Sequence, residues 1–572
     1  MEKVMPIGYE DLKEIIDKGL YYVDKTFMIK ELLDFGGKVN LFTRPRRFGK
    51  TLTQSMLRRF FEQEIDGEGN PVDNRYIFQD LQIASCGEQY MSKQGIFPVI
   101  NLSFKSAKQP DYEMAYASVV DEIAQEYRRH DYVLGTPLLT DMEKRRFTAI
   151  RDLIAEKIEY AKSLEFLSYC LAKYHHKNVI ILLDEYDVPL ENAYLGGFYE
   201  KMITFVRSLL ESALKTNPNL EFAVITGCLR ISKESIFTGL NNLDIYSILN
   251  PDFADSFGFT EKEVMDALSY YGIEQKSDEV REWYNGYCFG DKDIYNPWSI
   301  INYVKAASRN PKTYPKPYWS NTSSNSIVRE LVEKADFETR EEIEELLEGK
   351  SIEKTLHEDI TYSDIWESRE NLWNFLFFTG YLKKLGETYD GEKIYSKLAI
   401  PNTEIRSIYR NTIMAWFNRK IDNTDLSPIF SALESGDCDT FGRLVSAQLM
   451  ESISFYDYSE NYYHGFLAGL LKSSNIYGVY SNRESGTGRP DLIVKSRALR
   501  DGKAFILELK VADSFDQMEN ACVDALKQIE NREYEASLRL EGYRDIRKYG
   551  ISFFRKECFA IEAKTKLPKG NK

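Results

Sequence analysis

No apolar run in this sequence approaches the roughly 18 residues that a membrane-spanning helix needs. The opening segment, MEKVMPIGYEDLKE, also lacks an apolar stretch of the signal-peptide kind. Both absences lead us to expect a cytoplasmic chain with no membrane partner. Cysteine is sparse and unpatterned: seven residues, an odd number, never spaced C-x-x-C. That suggests neither a disulfide framework nor a zinc site, and it fits a reducing compartment. There is no internal repeat and no low-complexity tract. What is present is ordinary for a folded protein, with 43% hydrophobic, 28% charged and 13% aromatic residues. A formal charge of -15 discourages indiscriminate adhesion to DNA, yet it is compatible with a local basic groove, because the field that matters is that of the cleft. At 572 residues the chain exceeds the roughly 250 to 300 at which single cores stop growing, so two or three domains are expected.

Up to about residue 300, short apolar runs alternate with amphipathic stretches, the pattern of a parallel sheet with helices on its faces. The strand candidates are KVNLFT (38–43), FPVINLSF (97–104), NVIILLDE (178–185) and LEFAVIT (220–226). Helices are predicted over 49–63, 110–129, 147–174 and 197–215. Residues 300–400 turn Pro-rich and aromatic, then acidic and helical, as a solvated helix face would be. Beyond 400, helical segments precede two strand-like runs, RPDLIVKS (489–496) and AFILELKVA (504–512).

The stretch LFTRPRRFGKTL (41–52) ends like a phosphate-binding loop. In G-x-x-x-x-G-K-[ST] the backbone amides cradle phosphates, the lysine reaches the outer ones and the hydroxyl holds magnesium. Gly49, Lys50 and Thr51 fit, and an apolar strand runs in while a helix carrying Leu52, Met56, Leu57 and Phe60 runs out. This strand, loop, helix order aims amides at an anion. Asp184 and Glu185 end another apolar strand, where ligands bind in open α/β sheets. Asp184 is expected to hold Mg2+ with Thr51, and Glu185 to orient and deprotonate the attacking water. Thr226 ends a third strand, where it could sense the outer phosphate, with Arg230 or Lys233 supplying transition-state charge.

Those segments, together with YYVDKTFMIKELL (21–33), WYNGYCFG (283–290) and IYNPWSI (294–300), resemble the bacterial AAA-ATPase-like family of P-loop proteins over about residues 4–300. The RPRRFGKT loop is usual in that family, and ATP is the implied ligand. In this sequence Pro45 offers no amide hydrogen and Arg44 lacks glycine's freedom. One reading has Arg46 or Arg47 replace the lost amides with charge-assisted hydrogen bonds to phosphate; the other turns them toward a partner or nucleic acid. The Asn-Pro pair resembles a segment that contacts nucleotide in related signal-transducing NTPases, which would make Pro297 a read-out point; an aromatic core segment with a proline turn is the alternative.

In RPDLIVKSRALRDGKAFILELKV a period of two sets Ile506, Glu508 and Lys510 on one strand face, and a D-G turn is expected at Asp501 and Gly502. Asp491 can bring a second carboxylate to the same place, and two acids beside a lysine make a hard-oxygen site suited to Mg2+. Ser514 and Gln517 have the spacing of a capping box. The string resembles the PD-(D/E)XK nuclease superfamily over about 405–565. The resemblance implies a restriction-endonuclease-like α/β fold, with Gln528 beside the scissile phosphate and Glu460 as an added metal ligand; His464 shares the helix face of Glu460.

The whole is thus expected to be α/β. A P-loop NTPase parallel sheet with helices on both faces spans 1–300, a helical or winged-helix connecting region spans 301–404, and a nuclease-like domain spans 405–572. The first functional reading is an ATP-regulated, Mg2+-dependent nuclease acting on DNA or RNA without a base-reading motif, which the resemblance links to defence or mobile elements. The second is a signalling or scaffold NTPase whose terminal domain only binds a partner. A homo-oligomer stays open, because AAA-like relatives often form rings while signal-transducing ones need not.

Overall fold

The computed structural model describes residues 2–230, 236–237, 242–321, 326–358, 365, 368–422, 425–451, 460–472, 476–481, 490–497, 502–532 and 534–563. The chain forms two compact units, Met1–Thr322 with Ser351–Ser407, and Ser323–Lys350 with Ile408–Lys572. Neither is a continuous stretch of sequence, and the connecting region expected over 301–404 is shared between them.

The first unit is built on a parallel sheet of β1 (Val39–Thr43), β2 (Val99–Ser103), β3 (Val179–Asp184), β4 (Leu220–Gly227) and β5 (Leu243–Tyr246), in the order β2-β3-β4-β1-β5. Every residue of β1 and β3 is buried, as near-continuous apolar runs require of strands covered on both faces. Because β4 lies between β1 and β3, the loop leaving β1 and the acids ending β3 face each other across one strand. Gly49, at φ 88, precedes the helix Lys50–Phe61. Glycine takes that left-handed conformation at no steric cost, and the helix then buries Met56, Leu57, Phe60 and Phe61.

One expectation for this unit needs correcting, and one strand went unpredicted. The helix predicted over 147–174 is three helices, Asp141–Arg151, Lys157–Ala161 and Ser163–His175. Leu153 takes φ 63, which breaks the hydrogen-bond ladder, and Ile154 is left 76% exposed. The edge strand β5 carries no apolar run to announce it, being only partly buried.

Among the described residues, two small antiparallel sheets join the unit. One comprises β6 (Phe259–Thr260), β7 (Tyr287–Phe289) and β8 (Lys292–Tyr295); the helix Pro297–Arg309 shares a tyrosine-rich core with Tyr284 and Tyr295. The other comprises β9 (Ile352–Thr355), β10 (Lys383–Tyr389) and β11 (Ile394–Ala399), in the order β10-β11-β9.

The second unit holds a five-stranded sheet with its strands in chain order: β12 (Tyr477–Ser481), β13 (Leu492–Ser496), β14 (Lys503–Val511), β15 (Asp545–Phe554) and β16 (Glu557–Glu562). Among the described residues, only β14 and β15 of this sheet run parallel, so their connection must cross over, and it does so through the helix Met518–Asn531 packed on both strands. Along β14 the period of two sorts the side chains. Ile506 joins the helix-side core with Ile529 and Leu538, whereas Phe505 meets Tyr477 and Tyr549 on the other face. The capping box is not formed: Ser514 makes no side-chain cap bond, and a 3-10 turn, Phe515–Gln517, intervenes before the helix. Asp501 lies outside the described residues. Among those that are described, no helix is long and apolar enough to cross a membrane.

Candidate functional site

At the carboxyl edge of the parallel sheet, hydroxyls and acids interlock. Thr51 Oγ1 donates to Asp184 Oδ2 at 2.7 Å, and Thr226 Oγ1 donates to Asp184 Oδ1 at 2.5 Å. Gln54, which sequence reasoning passed over, lies beneath them and donates to the Leu183 and Val224 carbonyls at 3.2 and 3.3 Å. Glu185 follows at φ 54. Burial pushes its carboxyl up, helped by the neighbouring charge of Asp184 and opposed by Lys50 and Arg46. Lys50 itself is buried and turned back on its own loop, its ammonium 3.0 Å from the Arg44 carbonyl, 3.1 Å from that of Pro45 and 3.6 Å from Cys228 Sγ.

The arginines of the loop divide. Arg44 is fully buried and donates to the carbonyls of Thr43, Tyr246 and Phe253 at 2.9, 2.7 and 3.2 Å. Its guanidinium also sits over the rings of Phe257 and Phe289, at 5.1 and 5.2 Å from their centroids. Burial brings its pKa down to about 9, with no acidic partner among the described residues. Arg44 therefore braces the loop from inside. Arg46 pairs with Glu191, and Arg47, at φ 71, stacks 4.2 Å from the centroid of the Trp298 ring. Trp298 belongs to the Asn-Pro segment: Asn296 caps the helix Pro297–Arg309 through Ser299 N–H at 3.3 Å, and Pro297 is its first residue. Ser299 Oγ donates in turn to Glu404, a buried carboxyl pushed up to about 7 by desolvation. Arg230 lies 3.5 Å from Glu358. Lys233 falls outside the described residues.

A cavity of about 560 Å3, lined in part by Phe97, Lys173 and Lys177, opens at the amino ends of β2 and β3. That is the sheet edge opposite the phosphate-binding loop, so the cavity takes no part in this constellation.

In the second unit, Asp491 and Glu508 clasp one another. Asp491 N–H donates to Glu508 Oε2 at 3.3 Å, and Asp491 Oδ2 accepts the Leu509 N–H at 2.8 Å. Gln528, from the crossover helix, donates to Glu508 Oε1. His464 Nε2 donates to the Asp491 carbonyl at 2.9 Å, so its helix steadies the start of β13. Glu460 is exposed at the first turn of that same helix. Glu508 is 1% exposed, and burial pushes its carboxyl up to about 7, with Asp491 adding to the rise and Lys510 opposing it. Among the described residues Lys510 is the charge that opposes the rise at these two carboxylates, and the donor set is hard oxygen, which fits a divalent cation such as Mg2+. Among the described residues, no three acids, histidines or cysteines are gathered closely enough to form a closed metal cage, so water or substrate oxygens would complete the coordination.

Comparison with known proteins matches these two regions. Residues 6–237 match the AAA-ATPase-like family, described as "Predicted AAA-ATPase", and residues 458–563 match the PD-(D/E)XK nuclease superfamily. The chain carries an AAA-ATPase-like domain and a PD-(D/E)XK nuclease-superfamily domain. A curated protein of Azotobacter chroococcum mcd 1, described as "Uncharacterized protein in vnfD 5'region", is 25% identical over 566 residues and is covered, like this chain, over 97% of its length. That likeness runs through both matched regions and the sequence between them. In the AAA-ATPase-like domain the interlocked Thr51, Asp184 and Thr226 stand with Lys50 at the phosphate-binding loop; in the nuclease-like domain the clasped Asp491 and Glu508 stand with Lys510 and Gln528.

Proposed function

We propose that this chain binds and hydrolyses ATP in its first unit and uses its second to cleave DNA or RNA phosphodiesters without base specificity, in a cytoplasmic setting of defence or mobile-element biology. What supports the hydrolytic reading most is the pairing of Asp491 with a buried Glu508 whose carboxyl is pushed up to about 7. An acid in that condition is poised to release its proton when a cation arrives.

Asp491 and Glu508 would hold Mg2+, which when bound supplies electrophilic charge at the scissile phosphate. Gln528 fixes the rotamer of Glu508 through its amide. Lys510 orients the attacking water and offsets charge building on the phosphate oxygens. The water oxygen forms the new bond to phosphorus as the bridging ester oxygen leaves with a proton. In the first unit, Lys50 would leave the loop carbonyls for the outer phosphates of ATP, Thr51 and Asp184 would hold Mg2+, and Glu185 would take the proton of the attacking water.

The test incubates the purified chain with plasmid DNA or RNA, Mg2+ or Mn2+, with and without ATP, beside Lys50→Ala and Glu508→Ala. Cutting that Glu508→Ala abolishes is the expected result. Intact substrate under every condition would replace this reading with a scaffold NTPase whose second unit only binds.

A further inference from the structure

Asp187 stands three residues after Asp184, at the N-cap of the helix Val188–Gly196, yet its side chain does not cap that helix. It crosses to the neighbouring strand instead. Oδ2 accepts the Cys228 N–H at 2.7 Å and the Leu229 N–H at 3.2 Å, the first two amides beyond β4. Tyr186 grips the same turn from the other polarity, its hydroxyl donating to the Leu229 carbonyl at 2.6 Å. Gly227 lets both side chains in: a Cβ there would fall 2.5 Å from the Tyr186 ring and 3.0 Å from Asp187 Oδ1. The carboxylate is 2% exposed, and Oδ1 has no hydrogen-bond partner among the described residues.

The clamped turn touches the loop at two points. Arg44 N–H donates to the Gly227 carbonyl at 3.0 Å, and the Lys50 ammonium lies against Cys228 Sγ. A buried acid is costly to keep, and its bonds here fix a turn beside β1 that the Lys50 ammonium contacts through Cys228 Sγ.

We propose that Asp187 is a positioning residue for nucleotide turnover, holding the Cys228–Leu229 turn so that Lys50 is aligned for the reacting phosphate. The inference rests on the nucleotide reading above and adds a residue to it. Asp187 acts through Cys228 and Leu229 and touches no reacting atom.

Asp187→Ala and Asp187→Asn distinguish this from a packing role. Asparagine keeps an oxygen that can accept both amides, whereas alanine does not. Expected for Asp187→Ala is a fall of about tenfold or more in kcat for ATP hydrolysis with the dissociation constant of a fluorescent ATP analogue within about threefold of the parent, and for Asp187→Asn a return of kcat to within about threefold. A readout independent of hydrolysis is the alkylation rate of Cys228, mapped by mass spectrometry. Burial holds that thiol up at about 11 and unreactive; Asp187→Ala should raise the rate by about fivefold or more and Asp187→Asn should not. Unchanged Cys228 alkylation in folded Asp187→Ala overturns the proposal, as does equal loss of kcat and affinity that asparagine fails to restore. If the parent hydrolyses no ATP, the nucleotide reading falls, and the alkylation rates alone decide what Asp187 holds.

Discussion

The two sites treat buried charge in opposite ways. Around the phosphate-binding loop several charges are answered from within, although burial pushes Glu185 up there too: Asp184 by two hydroxyls, Arg46 by Glu191, Arg47 by Trp298, and Lys50 by carbonyls of its own loop. Between Asp491 and Glu508, among the described residues, Lys510 opposes but does not cancel burial and the second acid, and the Glu508 carboxyl is pushed up to about 7. A site at rest with its own partners must exchange them for ligand, which favours a switch. A site short of positive charge recruits a cation, which favours chemistry.

The largest effect that could break this contrast is in the second unit. Lys510→Ala should lower phosphodiester cleavage by about a thousandfold and leave ATP affinity unchanged; cleavage rates and nucleotide titration on the same sample check it. Next comes Arg44→Gly, which restores the residue usual in phosphate-binding loops. With the carbonyls of Thr43, Tyr246 and Phe253 losing their donor, it should destabilise the first unit by about 3 kcal/mol, read from urea unfolding, without tightening ATP binding.

A smaller effect concerns pH. The folded-state pKa of Glu508 is raised above its ordinary value, so its contribution to stability is full at low pH and is lost as pH rises through about 7. Without metal, the melting temperature of Glu508→Gln should therefore fall less between pH of about 5 and about 8 than that of the parent. Glu404, also raised to about 7, contributes equally to both proteins, and added Mg2+ should narrow the gap at the higher pH by neutralising Glu508. The smallest effect is Trp298→Ala. Losing the stacking surface of Arg47 should change ATP affinity by about 1 kcal/mol, tightening it if Arg47 turns to phosphate and weakening it if the stack only shapes the loop; a binding titration gives the sign.

Much of the two sites was legible because their signals are local. A strand running into Gly49-Lys50-Thr51 and an apolar run ending at Asp184 and Glu185 each fit within a dozen residues, and alternation along β14 is enough to set Glu508 and Lys510 on one face. What was not legible depends on distant partners. Arg44 reads as a defect in a glycine position until Tyr246, Phe253, Phe257 and Phe289 surround it. Asp187 stood in the D-E-Y-D string, but its partners lie 41 and 42 residues away. The single helix expected over 147–174 failed because apolar spacing carries across a turn that one left-handed residue makes.

The first unit takes back residues 351–407 after the chain has left it for 323–350, and Gly380, within that returning stretch, lies so close to Pro45 that a Cβ there would be 3.0 Å from the proline ring. On a ribosome adding about 5 to 20 residues per second, the phosphate-binding loop therefore waits roughly five to twenty seconds beyond the synthesis of residue 300 for its last covering segment. A nascent chain in that interval presents an unfinished face to chaperones, and a gene fragment ending at residue 300 would keep that face permanently uncovered.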